Sequence, residues 1–266
     1  MAINTVDDIA AGLSAAQVRN YMKVLAAPKA AGSLVSSWLA SGLPGAGSAA
    51  PAYTAGSGYT CSSATTGAIQ YVNGAVKNWL AKMTANSSQP GTLILVDRLW
   101  ACSGMGFAAG TYAVTTPGAL PARITDSGVG VEAYVEQYVV AGAASGTLTL
   151  NYLNTAAAAK SGVIAAVVSA PSASQLQPIP WQTGDVGISQ VTSAVTSATW
   201  TSGTFGITLL KRIAEIPLAS IGVSGVIDWA LAGLPTIPAD ACLQLIYIGS
   251  NTTAATVLGN VTIIDK

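Results

Sequence analysis

Between Val131 and Val139, Val131, Ala133, Val135 and Val139 alternate with Glu132, Tyr134, Glu136 and Tyr138. A period of two predicts a half-buried strand. The small residues Ala141–Gly146 then lead into Thr147–Leu153, where Leu148, Leu150 and Tyr152 share one face and Thr147, Thr149 and Asn151 the other. Two such runs separated by Gly and Ser predict an antiparallel pair. A third apolar run, Val163–Val168, is placed beside them.

Further runs extend the pattern. Thr92–Trp100 reads as a strand interrupted by one adjacent charge pair, Asp97 and Arg98. Ile179–Ile188 leads on to Val191 and Val195, and Thr199–Gly203 marks a hairpin into Phe205–Ile213. Leu243–Ile248 and Ala255–Ile264 give two more strands around Gly249–Thr253. Near the N-terminus the period changes. Thr5 is a candidate N-cap for a helix with Val6, Ile9 and Leu13 on one face. A second helical stretch is predicted over Ala15–Leu25, and a third from Ile69, Val72, Val76, Trp79, Leu80 and Met83, ending before Pro90. Residues 41–67 are mostly Gly, Ala, Ser, Thr and Pro and read as an extended arm lying along another subunit. The predicted class is mainly β (α+β): an antiparallel β-sandwich or jelly-roll-like body over 89–266, preceded by a helical and extended region over 1–88.

Composition narrows the function. Charged residues are 8% of the 266, against about 25% in an ordinary soluble domain. Eleven basic and eleven acidic side chains cancel, so no net field draws the chain to nucleic acid or to an anionic membrane. Low charge at neutrality favours association, with copies of itself or with a partner. Histidine is absent, which removes Ser-His and Cys-His nucleophile pairs and most zinc sites. Cys61, Cys102 and Cys242 are scattered and read as buried thiols, with one disulfide as the alternative. The most apolar stretch, Ile216–Leu234, contains Pro217 and Asp228 and is read as buried loop and strand, not a membrane span.

Candidate chemistry is sparse. On a strand Glu132 and Glu136 stand about 13 Å apart, beyond the range of about 5–9.5 Å for paired glycosidase carboxylates, and they are assigned to a solvated face. No phosphate-cradling glycine motif is present; Gly128-Val129-Gly130 precedes a strand instead of a helix. The sequence therefore offers no catalytic, cofactor-binding or metal-binding residue and reads as a non-enzyme. Four residues are candidates for subunit contact. Arg19 and Lys23 could dock on an acidic neighbour, and Trp181 and Trp200 could fill an interface, a core or, less simply, a sugar-stacking site. Lys211, Arg212 and Glu215 read as a surface charge group at a strand end.

Four stretches together resemble the structural proteins of tailed-bacteriophage virions: Met1–Ile9, Leu93–Gly104, Thr147–Tyr152, and Gly184–Val191 running on to Ala198–Gly203. The resemblance implies a head-associated role in the virion, decorating or cementing the outer surface of the shell. Its implied partners are the major capsid protein and copies of the chain itself, with a trimer as the natural closed arrangement, and it implies no catalytic residue. The alternatives are the major shell subunit, a tail or fibre component, and, from another class, a carbohydrate-binding module or depolymerase.

Overall fold

The computed structural model describes residues 3, 5–49, 57–75, 77–106, 108–114, 120–142, 146–165, 167 and 173–266. Met1, Ala2 and Asn4 of the opening motif, Val76 of the apolar stripe, 50–56 of the proposed arm, 143–145 of the small-residue turn and Val168 lie outside them.

In chain order the elements begin with α1 (Val6–Leu13), β1 (Gln17–Leu25), β2 (Leu34–Ser36), β3 (Ser41–Leu43), β4 (Tyr59–Thr60) and β5 (Asn78–Ser87). Next come β6 (Gly91–Ala101), β7 (Met105–Gly106), β8 (Gly110–Ala113), β9 (Val131–Val139), β10 (Leu148–Asn154) and β11 (Ala159–Ile164). The chain continues with β12 (Gln175–Ile179), β13 (Ile188–Thr196), β14 (Thr204–Leu218) and β15 (Gly225–Asp228). It closes with the single turn α2 (Trp229–Ala232), β16 (Thr236–Ile237), β17 (Leu243–Gly249) and β18 (Ala255–Asp265). The protein is mainly β, as the alternating runs predict.

Two compact units share this chain. Unit 1 comprises Met1–Gly47, Ser62–Asp97 and Ile213–Lys266; unit 2 comprises Ser48–Cys61 and Arg98–Arg212. The units are interleaved in sequence, so they do not coincide with a division at residue 88, and β6 and β14 each give residues to both.

Unit 1 is an antiparallel sandwich. One sheet runs β15-β5-β18-β1-β3, with β16 also on β5. The other sets β17 between β2 and the first part of β6, with Ile246 opposite Ser36 and Leu245 opposite Leu95. Tyr21, Leu80, Met83, Val257 and Val261 from the first sheet share one core with Val35, Leu93, Leu245 and Tyr247 from the second. Helix α1 forms as the sequence predicts, with Thr5 and Asp8 completing a capping box. Its Ile9 packs beside Ala81 and Ile264.

Unit 2 repeats the plan. Its sheets are β11-β10-β13-β8 and β12-β9-β14-β7, and Leu150, Tyr152 and Val191 of the first meet Ala133, Val135, Phe205 and Ile207 of the second in one core.

Several expectations are corrected. The helices predicted over Ala15–Leu25 and Ile69–Met83 are replaced by β1 and β5, preceded by irregular chain. In β1, Tyr21, Lys23 and Leu25 are buried while Met22 and Val24 are exposed, a period of two hidden beneath apolar positions that also match helical spacing. Pairing with β18 along the whole length of β1 decides the outcome. The predicted pairing of β9 with β10 does not occur. β10 pairs with β11 and β13, whereas β9 pairs with β12 and β14. Likewise β13 and β14, read as flanking a hairpin, lie in different sheets. Alternation defines a strand and its buried face but not its neighbour. The stretch Ile216–Leu234, expected to be buried, exposes Ile221, Val223, Val226 and Leu231. Among the described residues no helix is long and apolar enough to cross a membrane.

Candidate subunit-contact surface and buried polar clusters

Strand β1 places two of the four candidate residues. Arg19, Tyr21 and Lys23 share one parity and Val18, Asn20, Met22 and Val24 the other. Lys23 is 1% exposed, and its Nζ donates to the carbonyls of Ala40 at 3.1 Å and Gly45 at 3.2 Å. Burial pulls its pKa down to about 8, because no carboxylate offsets the loss of water around the ammonium. Arg19 is half-buried, and its Nη2 donates to Gln17 Oε1 at 2.8 Å. Gln17 in turn receives the backbone N–H of Val72 and donates to its carbonyl.

The two tryptophans belong to unit 2. Trp200 is 3% exposed and sits in the core, so its ring is consumed by the interior of its own unit and offers no platform for a sugar. Trp181 is half-buried and packs against the same core. Beside it in sequence, the Gln182 backbone N–H donates to Tyr152 Oη, which donates to Asp185 Oδ2 at 2.6 Å. Burial, reinforced by that carboxylate, pushes the Tyr152 hydroxyl up to about 12.

The opposite parity of β1 presents a different surface. Met22 stands opposite Leu258 of β18 on one side and Leu43 of β3 on the other. These three are 45%, 48% and 55% exposed, and Val18 and Val24 beside them are also open. The result is an apolar row across three adjacent strands of unit 1. The row is hidden in the sequence because a helix over these residues would disperse them around its circumference.

A second missed feature lies inside unit 2. Glu136, assigned from alternation to a solvated face, is wholly buried with Arg98 at 2.8 Å. Thr208 Oγ1 and Tyr138 Oη donate to the same Glu136 oxygen at 2.7 and 3.0 Å. Arg98 Nη2 also approaches Tyr138 Oη and Thr208 Oγ1. This group ties β6, β9 and β14 together, and its burial denies a substrate any approach. The signal was present: Arg98 interrupts an otherwise apolar run, which marks a buried charge in need of a partner. The outer group is exposed as read, but it lies within β14 and not at a strand end, with Lys211 bound to Asp126 at 2.5 Å and Arg212 to Glu132 at 3.2 Å, all partly exposed.

Cys61, Cys102 and Cys242 are buried thiols outside any disulfide. Burial pushes the Cys102 thiol up to about 12, which makes it a poor nucleophile. Among the described residues no three His, Cys, Asp or Glu side chains are grouped to hold a metal ion.

By its fold the chain is an antiparallel β-sandwich protein. No protein-family model matches it, and no curated protein sequence matches it. Solved structures with a weak likeness include the VP2 subviral particle of infectious bursal disease virus, at 8% identity and a TM-score of 0.22, covering 94% of this chain and 80% of that one. A structure of the Gt strain of the same virus gives 9% identity and a TM-score of 0.21, covering 94% and 80%. A likeness of this size carries no argument about what the chain does.

Proposed function

We propose that this chain is a structural subunit of a tailed-phage virion, a decoration or cement protein that stabilises the head shell by binding the major capsid protein and copies of itself. The observation that supports it best is the apolar row Leu43–Met22–Leu258 with Val18 and Val24 on the outside of unit 1. Contiguous apolar patches on soluble proteins mark sites of association, and a neutral chain with 8% charged residues has little repulsion to oppose contact. The resemblance of the Met1–Ile9, Leu93–Gly104, Thr147–Tyr152, Gly184–Val191 and Ala198–Gly203 stretches to phage structural proteins supplies the setting. In this reading the sandwiches are rigid bodies for load-bearing contact, and no chemistry is required of them.

The test is the number of copies per purified particle, by quantitative mass spectrometry against the most abundant shell protein. A stoichiometric ratio to the shell lattice is expected. A few copies per particle would move the chain to a tail, vertex or connector, and absence from the particle would overturn the virion reading.

A further inference from the structure

Strand β3 covers only part of the edge of β1. Its pairing runs from Ser41 opposite Val24 to Leu43 opposite Met22 and stops there. On the other side β18 pairs with β1 over its full length, from Gln17 to Leu25. On the β3 side, therefore, the β1 edge from Gln17 to Tyr21 continues with no strand beside it among the described residues.

A cleft of about 500 Å³ lies at that edge, within unit 1. It is lined by Val18, Arg19 and Asn20 of β1, by Leu43 to Gly45 and by the Thr66–Gln70 segment. Backbone groups on a strand point to alternate edges. The carbonyl of Met22 faces β3, since a side chain added at Gly42 would meet it at 1.9 Å. By the two-residue period the N–H and C=O groups of Val18 and Asn20 face the same way, into the cleft.

The charge in the cleft is one-sided. Among the described residues that line it Arg19 alone is ionisable, and none is a carboxylate. The guanidinium has five N–H donors; Gln17 Oε1 takes one from Nη2, and Nε is buried without a hydrogen-bond partner. On the far side of the Leu43–Gly45 turn, Lys23 bonds only to carbonyls, so its charge is not neutralised locally either. An open strand edge, apolar walls from Val18, Leu43 and Ile69, and an uncompensated arginine make a composite site. The edge asks for an extended backbone and the arginine for a carboxylate.

We propose that this cleft binds an extended acidic peptide segment of a partner chain, which adds to the β1 edge beyond β3 and sets an Asp or Glu carboxylate against Arg19. Addition of a strand to an open edge gives affinity through main-chain hydrogen bonds and specificity through side-chain pockets, and the charge-assisted bond to arginine selects the acid. The inference goes beyond the virion reading and does not depend on it.

The test uses the full ¹⁵N-labelled chain in solution, titrated with acetyl-Val-Thr-Glu-Val-Thr-amide and with its Gln analogue, at matched ionic strength. The Glu peptide is expected to shift the Val18 and Asn20 amides and the Arg19 Nε–H signal saturably, with the Gln analogue about tenfold weaker. In Arg19→Gln the preference for Glu over Gln should vanish while edge binding persists; the wild-type comparison of the two peptides stands even if that variant fails to fold. No saturable shift, equal affinity for both peptides, or acetate alone reproducing the shifts with the same affinity would each overturn the proposal.

Discussion

Lys23 holds a cation in the interior without a counter-ion, and this has a defined pH signature. Its folded pKa of about 8 lies below the ordinary value of 10.5, so between these values the unfolded chain binds more protons than the folded one and stability rises with pH. Below pH 8 the folded protein carries the full burial cost of the ammonium. Cys102, pushed the other way by burial, lowers stability as pH rises through the ordinary thiol range, but it does so equally in Lys23→Met, so the comparison of the two proteins from pH 7.5 to 9 isolates the lysine. Across that interval the wild type should gain about 1 kcal/mol relative to Lys23→Met in chemical denaturation. A parallel pH response in the two proteins would contradict the assignment. Arg98 and Glu136 have the opposite logic, a buried charge with its partner in place. Glu136→Gln leaves the guanidinium uncompensated and should cost about 3–5 kcal/mol in urea unfolding, while Arg98→Met with Glu136→Leu should recover much of the loss.

At the level of the element, β1 shows what could be read from the chain and what could not. Several of the longer strands were legible as alternating or apolar runs, among them β6, β9, β10, β14, β17 and β18. The first strand was not, because Val18, Tyr21, Met22 and Leu25 also satisfy a three-four spacing, and only the partner decides. That partner lies at the other end of the chain. Tyr21 adds a reason for the pairing: it stands opposite Gly259, and its hydroxyl crosses β18 there to donate to the Thr84 carbonyl on β5 at 2.7 Å. A Cβ at Gly259 would meet that carbonyl at 2.0 Å and the Tyr21 oxygen at 2.7 Å, so the glycine leaves room for a bond spanning three strands. The outer parity of β1 carries the proposed contact surface. Met22→Lys with Leu258→Glu should leave the unfolding midpoint within about 0.5 kcal/mol of wild type, yet reduce co-sedimentation with particles severalfold. Unchanged co-sedimentation would count against that face as the contact.

At the level of the whole molecule, the low charge and absent histidine were legible at once, since they are counts. Within the segment 41–67, read as an arm along another subunit, some described residues pack closely on their own unit, as a segment poor in large side chains can. Gly47 lies against the Trp38 ring and Gly67 against Gly47, so in unit 1 the small residues serve approach between backbones and an indole. The candidate contact residues divided for a similar reason: β-sheet parity sent Lys23 inward, while sequence alone offered no way to choose its face. The interleaved units explain why no cut in the sequence separates a helical region from a sheet region. Removal of Ala255–Lys266 takes away the strand between β1 and β5. The shortened chain should lose amide-exchange protection throughout the first sheet of unit 1, and protection surviving in β1 would refute the account.

The placement of β18 also sets a timetable. A ribosome makes Leu25, the last residue of β1, 230 residues before Ala255, the first of β18 (255 − 25), and the two strands are direct neighbours. At about 5–20 residues per second, β1 waits on the order of ten seconds or more for its full-length partner. Unit 2 lies within a shorter span, Ser48–Arg212, and can assemble while the rest is still being made. During that delay the apolar side chains of β1 and β5 are open to any strand that reaches them. Chaperone occupancy during synthesis should therefore peak before residue 255 emerges and fall once β18 has emerged and paired.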